Sequence, residues 1–433
     1  MFHMQAEVVP FGFSGEEPVK RIALWTTTVL VLAVTVAGFA PGSTPYSTPY
    51  DLPFVERPSE EDAGAFDGLL TLAETLPPSS TLNVLWMHGM CTHRPDWIEE
   101  RLGKLAAALG SAPKTVSVRP VGRHGASLRT ERIVVRSATI DVMFLSWSPI
   151  TSPSKAALSY DHSVERGGEF PYARAFLNRE LKHGLINDCM TDVVVYGGPN
   201  GAAIRLAAEE ALCNALGGSY VGTDCSVPHG EAPGALAFIA ESLGSKLLFD
   251  SVLEVWADAE NGRDKAMFER VAKGLAGTRM IYLMANQLPL LDVAGPAIGF
   301  VNGAPGPQRR TSGSIARDVF DLLSRLRGWT PSGTAPMTVV AFSDPNDLLS
   351  YRVVPNHLAG SLREFRIVNV IVSNDTTYFN YVERPDKAHC GYARNPHVLS
   401  MIARGYQAGK SLPSIAGLQS GCPDFISMPD SRQ

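Results

Sequence analysis

Ala235–Val252, ALAFIAESLGSKLLFDSV, decides how the rest of the chain is read. Its first part, Ala235–Ala240, is a short apolar run with bulky residues, the pattern of a buried strand. Its last part, Ser245–Val252, is apolar at helical spacing. Between them stands Glu241-Ser242-Leu243-Gly244. A serine on a sharp turn between strand and helix needs small neighbours, because the turn is strained. Ala240 lies two before Ser242 and Gly244 two after it. The helix that follows would aim its free N–H groups at the serine and favour a developing negative charge there. The same residues would also serve as a plain helix N-cap, so the other segments must decide.

The chain has 433 residues, room for one large domain with insertions or two modest ones. It is 45% hydrophobic and 19% charged, an ordinary globular balance. A net charge of −5 without a basic block argues against nucleic acid as a partner. No GxxxxGK loop or dinucleotide fingerprint is present, which argues against nucleotide chemistry. The six cysteines, Cys91, Cys189, Cys213, Cys225, Cys390 and Cys422, form no CxxC pair and have no histidine at zinc-ligand spacing. No metal and no cofactor is therefore expected.

Ile22–Ala40, IALWTTTVLVLAVTVAGFA, contains no charged residue. As a helix it would rise about 28 Å, close to the thickness of a bilayer's hydrocarbon core. Lys20 and Arg21 precede it, and no Lys or Arg follows until Arg57. That asymmetry predicts a cytoplasmic leader over 1–21, a signal anchor over 22–40 and an extracytoplasmic body. A cleaved signal peptide is the competing reading; Gly38 and Ala40 could precede a cut, but Pro41 would then follow it. Residues 41–60, rich in Pro, Ser and Thr and carrying the repeat STPY-STPY, read as an extended tether. The body is expected over 61–408, with an irregular tail at 409–433.

Within the body, a short amphipathic helix is predicted at 67–76. Leu82–Met87 reads as a strand leading into His88-Gly89-Met90, and Arg94–Leu109 as the next helix. Ile140–Trp147 is a strong strand and Thr115–Val121 a weaker one. The stretch 149–234 is longer than a crossover needs, so it reads as an insertion forming a cap or wall, with helical runs at Tyr172–Leu185 and Ala202–Leu216. Further strands are predicted at Arg279–Ala285, Thr338–Phe342 and Arg366–Val372, with helices at Ile315–Leu326 and Pro396–Gly405. His389 is expected in the loop before the last helix.

Strands alternating with helices predict a doubly wound, mostly parallel α/β sheet, with function at the carboxyl ends of its strands. Met90, Ser242, the Asp344/Asp347 pair and His389 all follow strands. Their order is oxyanion donor, serine, acid, histidine. Through WMHGM, FIAESLGS, VVAFSDPNDLLSY and KAHCGY, residues 82–405 resemble the α/β-hydrolase superfamily, of the lipase and esterase kind. Ala240, where glycine is usual, and the large insertion are departures. The resemblance implies Ser242 as nucleophile, His389 as base, Asp347 as acid with Asp344 the second choice, and the backbone N–H groups of Met90 and Leu243 as oxyanion hole. Asp347 is preferred because Leu349 stands two beyond it, whereas Asp344 before Pro345 suits a turn. His397, at a helix start, is the rival base; His183 and His357 are expected on the surface.

His88 and Glu241 are expected to be structural despite flanking the proposed site. Trp147 is read either as pocket wall or as core. Cys91 and Cys390 are read either as packing residues or as a redox pair, with disulfides open to Cys189, Cys213 and Cys225. The expected activity is that of a membrane-anchored serine hydrolase on a small-molecule or lipid ester. The competing readings are a non-catalytic binding or scaffold protein on the same fold, and an acyltransferase or peptidase using the same three side chains.

Overall fold

The computed structural model describes residues 54–55, 65–78, 80–93, 96–164, 167–221, 224–228, 235–262, 264–292, 314–330, 335–354, 365–375, 377 and 383–407. The expected leader, anchor and C-terminal tail lie outside these residues. Among the described residues no helix is long and apolar enough to cross a membrane.

Nine strands form one sheet: β1 (Phe54–Val55), β2 (Thr81–Met87), β3 (Pro113–Pro120), β4 (Ser127–Val135), β5 (Ala138–Ser146), β6 (Leu236–Glu241), β7 (Thr278–Met284), β8 (Met337–Ser343) and β9 (Phe365–Ile371). Their spatial order is β1-β9-β8-β7-β6-β2-β5-β4-β3. The six strands from β9 to β5 run parallel. β1 pairs antiparallel with β9 at one edge, and the β3–β4–β5 meander is antiparallel at the other. The protein is thus mixed α/β with a large, mostly parallel central sheet.

Parallel strands covered on both faces should be apolar almost throughout, and these are. Along β2, Leu85 and Met87 face one core while Leu82, Val84 and Trp86 face the other. The first core is closed by helices at Gly201–Ala215, Gly244–Asn261, Lys265–Ala276 and Ile315–Leu326. The second is closed by helices at Leu69–Glu74, Trp97–Leu109 and Pro396–Arg404.

Three expectations change. β4 was not foreseen, because Arg129, Glu131 and Arg132 interrupt its apolar pattern; they pair with Glu99, with each other and with Asp141. The helix at Gly201–Ala215 is no cap. Ile204, Ala207, Ala208, Ala211 and Leu212 bury it against the sheet, whereas Cys189 and Asp192, within 176–197, meet Cys91 in the loop after β2. Phe54–Val55, inside the expected tether, joins the sheet as β1.

Candidate active site

Ser242 sits on the turn between β6 and the helix at Gly244–Asn261, with φ of +53°, a region non-glycine residues rarely enter. The turn is held by three hydrogen bonds. The Ser242 N–H donates to the Met284 carbonyl at 2.8 Å, and the Ser245 N–H and Oγ donate to the Ser242 carbonyl at 3.0 and 2.7 Å. Gly244 explains why small residues are needed. A Cβ there would lie 2.5 Å from the Met87 carbonyl oxygen and 2.8 Å from that of His88. Ala240 is fully buried, in register between Met87 and Leu283, where its methyl is accommodated within the sheet.

The structure brings Ser242, His389 and Asp347 together. His389 Nε2 is 2.9 Å from Ser242 Oγ, and its Nδ1 is 2.9 and 3.0 Å from the two Asp347 oxygens. A carboxylate there accepts from Nδ1–H, which leaves the Nε2 lone pair facing the serine hydroxyl. Asp347 also accepts from the Leu349 N–H and from the Tyr392 hydroxyl, each at 3.0 Å. Tyr392 is a residue sequence reasoning quoted without giving it a role. Burial, then the charge of Asp347, pushes its phenol well up, so it stays a donor. His389 lies in a short helix, Pro385–Cys390, rather than a loop.

Asp344 does not reach the histidine. Its oxygens accept from the Asn346 N–H at 2.9 Å and the Asn374 N–H at 2.7 Å, the turn role its position before Pro345 suggested. Burial raises its carboxyl to about 6, and raises that of nearby Glu383 to about 8 with the charge of Asp344 adding to it. His397 caps no chemistry; its N–H donates to Asn395 at the start of Pro396–Arg404. His183 is buried, not on the surface, and its Nε2 accepts from the Ser163 N–H. Residue 357 lies outside the described residues.

The loop after β2 lies against the elbow: a Cβ on Gly89 would come within 2.6 Å of the Ser242 Cβ. Among the described residues, neither the Met90 nor the Leu243 N–H donates to a protein acceptor. His88 orients the first of them. Its Nε2 accepts from the Trp147 N–H at 3.1 Å, which leaves the proton on Nδ1 to donate to the Gly89 carbonyl at 2.8 Å. A trans peptide points its N–H opposite its C=O, so the Met90 N–H points away from the His88 ring. Burial, then the neighbouring His93, holds His88 well below the usual imidazole value, so it stays neutral. Trp147 is core: fully buried, it stacks on His88 and donates its indole N–H to the His88 carbonyl at 3.0 Å.

Glu241 turns away from Ser242. It accepts from the Trp86 indole at 2.6 Å and from the Arg101 guanidinium at 3.3 Å. Cys91 and Cys390 are not paired with each other. Cys91 is bonded to Cys189 and Cys213 to Cys225, and Cys390 is also in a disulfide. A cleft of about 250 Å3 opens on this assembly, lined among others by Gly89, Met90, His93, Trp97, Ser242 and His389. A serine whose proton can pass to an oriented imidazole, beside two unspent N–H groups, is chemically equipped to attack a carbonyl carbon. No protein-family model and no curated protein matches the chain.

Proposed function

We propose that the protein is a membrane-anchored serine hydrolase of carboxylic esters, on an α/β-hydrolase fold. The observation that carries the proposal is the continuous hydrogen-bonded line from Ser242 Oγ through His389 to Asp347. His389 takes the hydroxyl proton as Oγ attacks the ester carbonyl, and Asp347 stabilises the imidazolium that forms. The Met90 and Leu243 N–H groups hold the oxyanion; one such donor is typically worth about 10²–10³ in rate. The proton then passes to the leaving alcohol, and water activated by the same imidazole releases the acid from Ser242. No metal or cofactor enters these steps.

The cleft, about 250 Å3, opens on Ser242 and His389 and supports entry of an ester carbonyl to the serine. The uncharged run Ile22–Ala40 supports anchoring with the body outside the cytoplasm. The disulfides Cys91–Cys189 and Cys213–Cys225 fit an oxidising compartment. Turnover of p-nitrophenyl esters of increasing acyl length tests the reading. Hydrolysis is expected, lost on the order of 10⁶-fold in kcat in Ser242→Ala. Absence of turnover in the wild type, or equal turnover in Ser242→Ala, rejects it.

A further inference from the structure

The loop that carries Met90 is held from outside the sheet. Cys91, the next residue, has φ of +80°, a conformation that costs a non-glycine residue about 1–3 kcal/mol and persists only where its surroundings over-determine it. Three contacts do so here. Its side chain is bonded to Cys189, its carbonyl lies 3.0 Å from His93 Nδ1, and its N–H donates to Asp192 Oδ2 at 2.7 Å. Two of the three partners, Cys189 and Asp192, belong to the insertion at 176–197.

Asp192 is fully buried and is paired with Lys155 Nζ at 3.0 Å. Lys155 also reaches Asp188 at 2.8 Å. Asp188 accepts from the Thr92 N–H at 3.0 Å and the Thr92 hydroxyl at 2.6 Å. Two consecutive backbone N–H groups of the loop, Cys91 and Thr92, thus end on two carboxylates one helical turn apart, cross-linked by one lysine. His88 fixes the peptide before Met90, and this cluster fixes the peptide after it.

We propose that Asp192 is a positioning residue for the oxyanion hole: by holding the Cys91 N–H it sets where the Met90 N–H stands relative to Ser242. The inference rests on the esterase reading above. It gives the insertion a part in the chemistry although none of its described residues lines the cleft. A misplaced oxyanion donor leaves substrate binding largely intact and weakens only the transition state, so the effect belongs in kcat.

The test uses the full chain with Asp192→Ala, which removes the acceptor, and Asp192→Asn, which keeps an acceptor oxygen. Asp192→Ala is expected to lower kcat about 10- to 100-fold with KM within about twofold, and Asp192→Asn to recover most of the loss. Amide hydrogen exchange over residues 90–92 is expected to quicken in Asp192→Ala, while segments holding Ser242 and His389 keep their wild-type rates. Unchanged kcat in a folded Asp192→Ala, a loss that only tracks the folded fraction, or equal losses in the two variants overturns the proposal. If Asp192→Ala does not fold, wild-type exchange decides: slow exchange at Cys91 upholds the clamp and fast exchange overturns it. A wild type that turns over no ester defeats the esterase reading and this inference together, whereas an active wild type with an indifferent Asp192 defeats this inference alone.

Discussion

The acid of the proposed triad is held by more than its histidine. Tyr392 donates to Asp347 at 3.0 Å and accepts from the Asp344 N–H at 2.7 Å, so one phenol ties the acid to the end of its own strand. Tyr392→Phe is expected to lower kcat on the order of tenfold with little change in KM, since a hydrogen bond to a charged group is worth about 1.5–3 kcal/mol. Steady-state kinetics on a short ester checks this; an unchanged kcat would show that Asp347 needs no such support. Glu383 and Asp344 make a second prediction. Their folded values, about 8 and about 6, stand above the ordinary carboxylate values of 4.5 and 3.8. The folded chain therefore holds more protons than the unfolded one within that window, and stability falls as pH rises through it. Glu383→Gln removes its share of the slope. Its melting temperature is expected to match the wild type's below about pH 4.5 and to exceed it above about pH 8. Parallel melting curves across that range would contradict the assignment.

At the scale of elements, the elbow and the loop after β2 meet because Gly244 lets a helix begin against the Met87 and His88 carbonyls. Gly244→Ala is expected to cost about 1–3 kcal/mol, read as a lower urea midpoint, because backbone atoms cannot yield as a side chain would. A midpoint equal to the wild type's would mean that the helix shifts freely. Much of this arrangement was legible in the sequence. Apolar runs bounded by turns located β2, β5, β6, β7, β8 and β9 within a residue or two, and chain order placed Ser242, Asp347 and His389 at their carboxyl side. What stayed hidden depends on contacts far apart in the chain. β4 reads as polar until Arg132 meets Asp141 across the hairpin. His183 looks like a surface residue until Ser163 folds over it. The clamp on Cys91 joins residues about 100 positions apart, and no local pattern announces that Asp192 ends on its N–H.

At the scale of the whole molecule, the first described strand lies at the end of the sheet that carries the site. Phe54 pairs with Ile371, the last residue of β9, and β1 runs antiparallel to it. Phe54 thus lies at the carboxyl edge of the sheet, the edge that carries Ser242. The full chain is expected to stay with the membrane fraction through a high-salt or carbonate wash and to leave it only in detergent; release by salt alone would contradict an anchor at 22–40. On the proposed reading Ser242 is an activated nucleophile, and active-site labelling reports that reactivity. The purified full chain is treated with a fluorophosphonate and the adduct mapped by mass spectrometry. One adduct is expected, on Ser242, abolished in Ser242→Ala and strongly slowed in His389→Ala; no adduct, or one that persists in Ser242→Ala, would overturn the assignment of Ser242 as nucleophile.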